Sequence, residues 1–345
     1  MRNKKLLTVI LGIIFMMSVT LGCGNGNSNA EAKSAIAPPA SNSEMPKVKV
    51  TINTWPGLGP YYVAKAKGFD REEGIRLEVI MNENTESRRS SLLAGEVDLV
   101  GITLDAVILA QSRGVPMTVV GLSDMSYGGD GIIAKKEIKS VPDLKGKKIA
   151  CAEGLPSHFF LLYLLKKHNL GPKDIKLVPV DDGGQAAFLF TSGRVDAAVT
   201  WDPWISQAGK LTKGHVLVTT KDEPGLILGI VAANKNLIPQ RADRIKRTLK
   251  AWFKAVEYCH KHPDEANKIM AKEYNVPIKD FKRMAAGAKL IALKETIKIF
   301  GTPEEPGSIY KLVKDASKIW QEAGVIKKPV KPEDVIDWTV VNFFK

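Results

Sequence analysis

Two indoles and a carboxylate fall within four residues, Trp201-Asp202-Pro203-Trp204, directly after an apolar run at Val195 to Thr200. Side chains of that kind can wall a ligand. The indoles bring flat apolar faces with one donor each, and the carboxylate accepts hydrogen bonds or pairs with a cation. A second concentration, Thr54-Trp55-Pro56-Gly57-Leu58-Gly59-Pro60-Tyr61, follows a strand pattern at Val48 to Asn53. There Gly57 lets backbone approach a ligand and Trp55 offers a wall. Thr103-Leu104-Asp105 follows a further run at Val97 to Ile102, and Glu153-Gly154-Leu155-Pro156-Ser157-His158 follows one at Ile149 to Cys151. That last loop opens a helical pattern, and a helix start presents free N–H donors and a positive dipole end to an anion. Plain structural uses exist beside these: Trp201 or Trp204 can fill a hinge, and Ser157 can serve only as an N-cap.

The same inventory argues against catalysis. A reaction would ask for a nucleophile with a base and an orienting partner, or for a metal cluster. Of His158, His168, His215, His260 and His262 only His158 sits in one of these loops, where it serves as a hydrogen-bond donor or packs. No Cys-x-x-Cys or Cys/His grouping suggests a metal. The expectation is a binding protein, with no catalytic residue, no metal and no cofactor.

The elements that must position these loops alternate. Strand patterns at Val48–Asn53, Ile75–Met81 and Val97–Ile102 are separated by helical patterns at Tyr61–Lys67 and Ser87–Ala94. The alternation resumes with Lys148–Ala152, Phe159–His168, Ile175–Val180, Ala186–Phe190 and Val195–Thr200. Such a series predicts parallel sheets covered by helices on both faces, with ligands bound beyond the carboxyl ends of the strands. From Arg241 onward long helical patterns take over, with Ile245, Leu249, Trp252, Phe253 and Val256 spaced three and four apart as a core stripe. About 300 residues exceed what one core usually accommodates, so two lobes are expected.

The first residues read as processing signals. Arg2, Lys4 and Lys5 precede an apolar stretch, Leu6 to Val19, that stops at Leu21-Gly22-Cys23. That stretch is too short to span a bilayer, which takes about 20 apolar residues. The segment resembles a bacterial lipoprotein signal at 1–22, in which Cys23 becomes the lipidated N-terminus, although Thr20 departs from the usual aliphatic residue. Residues 23–47, small, polar and proline-containing, read as a flexible tether. Cys151 and Cys259 are the other two cysteines, expected as buried thiols with a bridge left open. The net charge of +13 falls to +10 without Arg2, Lys4 and Lys5, and the lysines are spread among acids, which excludes a nucleic-acid stripe.

Four stretches together resemble the periplasmic solute-binding proteins of the nitrate, sulfonate and taurine class: YYVAKAKGFDREEGI at 61–75, SLLAGEVDLVGIT at 91–103, SVPDLKGKKIACAEG at 140–154 and SGRVDAAVTWDPW at 192–204. The resemblance spans nearly all of 48–345. It implies a two-lobed periplasmic-binding-protein type II fold, an α/β sheet flanked by helices in each lobe and a ligand cleft between them. Lobe one would be 48–132 plus 230–345, and lobe two 133–229. It implies an ABC permease and its ATPase as partners and a monomer, while the lipoprotein-like signal implies a lipid anchor at the extracytoplasmic face of the cell membrane, periplasmic or at the cell surface. By the same resemblance Thr54, Trp55, Gly57, Thr103, Asp130, Ser157, His158, Trp201 and Asp202 face the ligand.

Helix starts with Thr103 and Ser157 suit a sulfonate, carboxylate or nitrate-like anion. Asp130 and Asp202, and secondarily Asp124 and Asp182, would repel a bare anion if ionised and close, so a zwitterion such as an aminosulfonate or amino acid fits best. As turn formers or caps the same aspartates would say nothing of the ligand. Two other classes share this architecture: a receptor for a membrane sensor, and an enzyme of the pyrimidine-precursor synthase type.

Overall fold

The computed structural model describes residues 45–338 and 342–344, apart from 212 and 213. The expected signal at 1–22, the lipidated Cys23 and the tether as far as residue 44 lie outside the described residues. Eleven strands form two sheets among the described residues. They are β1 (Lys47–Ile52), β2 (Arg76–Met81), β3 (Leu99–Thr103), β4 (Met117–Ser126), β5 (Asp130–Lys135), β6 (Lys148–Ala152), β7 (Lys176–Val180), β8 (Ala197–Trp201), β9 (Gly214–Thr219), β10 (Leu228–Asn234) and β11 (Ala288–Leu290). The first sheet runs β11-β4-β10-β3-β1-β2 and the second β7-β6-β8-β5-β9.

The helices are α1 (Pro60–Lys67), α2 (Phe69–Glu72), α3 (Thr85–Leu93), α4 (Leu104–Ser112), α5 (Pro156–Lys167), α6 (Gly183–Thr191), α7 (Trp204–Leu211), α8 (Ile238–Lys261), α9 (Pro263–Glu273), α10 (Ile278–Ala285), α11 (Leu293–Phe300), α12 (Ser308–Glu322) and α13 (Pro332–Val335).

The sheets are mixed, where the alternating pattern predicted parallel ones. β1 pairs parallel with β2 and β3, and β6 with β7 and β8. β10, however, lies antiparallel between β3 and β4, and β5 antiparallel between β8 and β9. Connectivity explains the difference. Parallel neighbours need a crossover helix, whereas β5 and β10 each enter a sheet straight from the other one. Their own runs, GIIAK and GIVAAN, are buried on both faces and so lack a period-two polar alternation.

Neighbouring strand residues point to opposite faces, and the core divides accordingly. In β4, Val120 joins the cluster under α1 and α8, while Val119 joins the one under α4 and α12. In β5, Ile132 packs toward α5 and Ile133 toward α6 and α7. The stripe on α8 is core: Ile245, Leu249, Trp252, Phe253 and Val256 are all buried, with Trp252 set 4.5 Å from the ring of Tyr61. Removing such a ring would cost about 3–5 kcal/mol. Cys151 and Cys259 are free, buried thiols in different clusters.

Two short segments carry the chain between the sheets. Tyr127 to Gly129 lead from β4 into β5, and Thr220 to Ile227 lead back from β9 to β10. Asp130 to Ile132, expected with the first lobe, therefore belong to the second sheet. Thr220 staples the two segments. Its hydroxyl lies 2.7 Å from that of Ser126 and accepts from the Gly128 amide at 2.8 Å, and its own amide donates to the Asp130 carbonyl at 2.9 Å. A Cβ on Gly129 would stand 2.5 Å from the Trp55 ring and 2.7 Å from the Gly287 carbonyl, so only glycine lets the crossover pass this close.

Candidate ligand-binding site

A cavity of about 70 Å³ lies where the two sheets face each other across the crossovers. Elements of the first sheet contribute Trp55, Thr85, Arg88, Thr103, Ser123 and Asp124, and elements of the second contribute Asp130, Leu155, Pro156 and Trp201. Of the residues expected from sequence, Trp55, Thr103, Asp130 and Trp201 meet here. β5 pairs with β8 so that Asp130 stands opposite Trp201, which brings a carboxylate and an indole to one rim.

The others are placed elsewhere, each for a definite reason. The Thr54 amide donates to Glu83 at 2.9 Å, at the exposed edge. Gly57 turns toward Asp124 and not toward the cavity: an added Cβ would stand 2.2 Å from its carboxyl carbon. Ser157 is buried inside the first turn of α5 with its hydroxyl toward the Ala152 carbonyl at 3.4 Å. The Nδ1 of His158 accepts from the Gly154 amide at 3.2 Å, and its ring meets Trp320 edge-on at 5.6 Å; burial holds its pKa below the usual imidazole value. Leu155 and Pro156, two residues earlier, take the places expected for Ser157 and His158. Asp202 is buried behind the rim and accepts from the Ser206 amide at 3.3 Å. Asp182 caps α6, accepting from the Gln185 amide at 2.9 Å.

Sequence reasoning missed Arg88 and gave Asp124 only a minor place. Arg88 follows β2, the one strand of the first β/α series whose carboxyl-end loop was passed over. Its two terminal nitrogens donate within its own loop, to the carbonyls of Asn82 (2.5 Å) and Glu83 (3.1 Å) and to the Thr85 hydroxyl (3.2 Å), while its Nε is buried without a partner. Burial lowers its pKa to about 10, which leaves it charged at neutral pH. Asp124 accepts from the Trp55 indole N–H at 2.7 Å and from the Ser123 hydroxyl at 2.8 Å, and thereby fixes the Trp55 ring.

The cavity carries both signs of field. The first turns of α3, α4 and α5 reach it through Thr85, Thr103 and Leu155 with Pro156. α4 and α5 have no side-chain cap, and the Thr103 hydroxyl and the Trp201 indole N–H are buried without a partner. Together these groups favour an anion. The opposite sign comes from Asp124 and Asp130. Burial raises Asp124 to about 6, against the hydrogen bonds from Trp55 and Ser123. Asp130 is raised to about 7, by burial first and then by the charges of Asp124, Asp105 and Asp202, against the nearby Ser126 hydroxyl. Among the described residues no group of three or more His, Cys, Asp or Glu side chains is arranged to hold a metal ion.

A larger hollow, about 970 Å³, opens between α5, the return crossover and the α11–α12 pair. Asp105 lines it, with both carboxylate oxygens buried, no hydrogen-bond partner and the Thr103 hydroxyl nearby but out of bonding geometry. Burial raises Asp105 to about 7. This hollow lacks the indole walls and most of the helix starts that converge on the smaller cavity.

Two α/β sheets joined by paired crossovers, with a small bipolar cavity between them, define a two-sheet ligand-binding architecture. The chain belongs to the NMT1/THI5-like family, whose model matches residues 55–266. A proposed aliphatic sulfonates-binding protein of Bacillus subtilis (strain 168) is 25% identical over 345 residues, covering 98% of this chain and 96% of its own. The taurine-binding periplasmic protein of Escherichia coli (strain K12) is 23% identical over 307 residues, covering 86% and 92%. The crystal structure of the periplasmic aliphatic sulphonate binding protein of Escherichia coli has the same fold. It superposes with a TM-score of 0.69 at 19% identity, over 86% of this chain and 99% of that one.

Proposed function

We propose that this chain is the extracytoplasmic solute-binding component of an ABC importer, taking a small anionic or zwitterionic compound of the sulfonate, taurine or nitrate kind. The observation that carries the reading is a cavity whose walls come from both sheets and bring together uncapped helix starts and carboxylates. A ligand bridging both halves stabilises their approach, because only contacts that differ between open and closed forms shift the population. The closed form is then what a membrane permease and its ATPase accept. Relatives named for binding aliphatic sulfonates and taurine support this role, and none of those compared above is named as an enzyme.

The remaining parts of the reading follow from it. The first lobe comprises the first sheet with its helices, and the second the stretch from Asp130 to about Thr219. Residues 1–22 direct export, Cys23 carries the lipid, the tether up to residue 47 spaces a monomeric binding domain from the membrane, and Trp55, Thr103, Asp130 and Trp201 contact the ligand.

Thermal unfolding of the purified protein against taurine, alkanesulfonates, nitrate, bicarbonate, amino acids, urea and pyrimidines tests the function. A true ligand at a hundred times its dissociation constant should add about 2.7 kcal/mol. A panel without any shift would remove the reading and favour the sensor or enzyme classes.

A further inference from the structure

Taking the solute-binding reading as given, we propose that the ligand is a short zwitterion whose positively charged nitrogen is held by Asp130, and that bare anions of the same length are poor ligands. Asp130 is 5% exposed and lines the cavity. Among the described residues no Lys or Arg pairs with it. Arg88, the cation that lines the same cavity, has turned its two terminal nitrogens to the Asn82 and Glu83 carbonyls and the Thr85 hydroxyl, and keeps its Nε buried without a partner. The neighbouring Asp124 has its oxygens engaged by Trp55 and Ser123 and is hemmed in by Gly57 and Gly229, whose added Cβ atoms would each stand 2.2 Å from it. Asp130 is therefore the carboxylate open to a ligand.

A buried carboxylate needs a counter-charge or donors. An incoming bare anion would instead meet Asp130 with Asp124, Asp105 and Asp202 acting from behind it. An ammonium group reverses that balance, and the indoles of Trp55 and Trp201, which line the same cavity from the two sheets, offer aromatic neighbours that suit a cation. The unpartnered Thr103 hydroxyl at the start of α4, the Trp201 N–H and the Arg88 Nε are left for the anionic end. Size sets the length. About 70 Å³, at ~10–15 Å³ for each water-sized sphere, admits roughly five to seven heavy atoms. Short ω-amino acids and aminoalkanesulfonates have that many.

Titration calorimetry of the purified protein with taurine, β-alanine, isethionate, ethanesulfonate and nitrate decides the matter. At least one amine-bearing member should bind, with its hydroxyl or alkyl counterpart at least ~100-fold weaker. Asp130→Asn should erase that preference without lowering the melting temperature, and Asp130→Glu, which keeps the charge, should preserve it. Ethanesulfonate or nitrate binding as tightly as the amines, unchanged in Asp130→Asn, would overturn the zwitterion and leave the solute-binding reading standing. Absence of binding by every member at millimolar concentration would overturn both.

Discussion

Gly57→Ala is a one-methyl change at a residue that never touches the cavity, yet it should disturb the cavity wall. An ideal Cβ at this position stands 2.2 Å from the Asp124 carboxyl carbon and 2.5 Å from each of its oxygens. Asp124 cannot retreat, because Gly229 presses from the other direction, with its own ideal Cβ 2.2 Å from Asp124 Oδ1. Either the helical turn that carries Gly57 shifts, or Asp124 moves and releases the Trp55 indole it holds at 2.7 Å. Overpacking of this kind costs about 1–3 kcal/mol. Loss of a hydrogen bond to a charged group costs about 1.5–3 kcal/mol more. A net cost near 3 kcal/mol corresponds to a fall of roughly 6–12 °C in melting temperature. Circular dichroism melts of Gly57→Ala, Asp124→Ala and the double variant measure it. Removing the carboxylate relieves the clash, so the double variant should be less destabilised than the sum of the singles. Strict additivity within ~0.5 kcal/mol, or a Gly57→Ala melt within 1 °C of the parent, would refute the reasoning.

Asp130 also makes ligand-free stability depend on pH. Its folded value of about 7 lies above the unfolded 3.8, so the folded state holds the extra proton across that window and loses stability as pH rises through it. Asp130→Asn should therefore melt higher than the parent at pH 8, with the gap closing toward pH 4; a gap independent of pH would contradict this. Arg88→Met leaves two loop carbonyls and the Thr85 hydroxyl without their donor and should cost roughly 2–4 kcal/mol. Arg88→Lys, a point charge without the planar fork, should recover only part of that loss in a denaturant melt, and full recovery would show that the charge alone matters.

The β/α series was legible because its signals are local. Each strand pattern of that series is answered by a strand within two residues or so, and the α8 stripe is buried as its spacing predicts. β5 and β10 were not, since both are buried on two faces and carry no alternation that marks direction or sheet. Their antiparallel sense follows from which half the chain has just left, a property of the path and not of any window of residues. The crossover after Ser126 was set a few residues late for the same reason: Gly128 and Gly129 look like an ordinary turn until Trp55 and Gly287 close on them.

The site divides along the same line. Trp55, Thr103 and Trp201 follow strands, and the rule that ligands bind beyond carboxyl ends finds them. Ser157 and His158 fall just past the lining, because the helix begins at Pro156, and Leu155 and Pro156 line the cavity while the next two residues rotate into the core. Asp124 lies inside a strand that reads as core, and only the pair of glycines packed against it, 172 residues apart in sequence, marks the space that its carboxylate needs. A charge buried in a strand is costly unless something fixed answers it. Here Trp55 and Ser123 answer Asp124, while Asp130 has only the Ser126 hydroxyl nearby and no cation, and that difference between two neighbouring aspartates is what singles out Asp130 as the one that waits for a ligand.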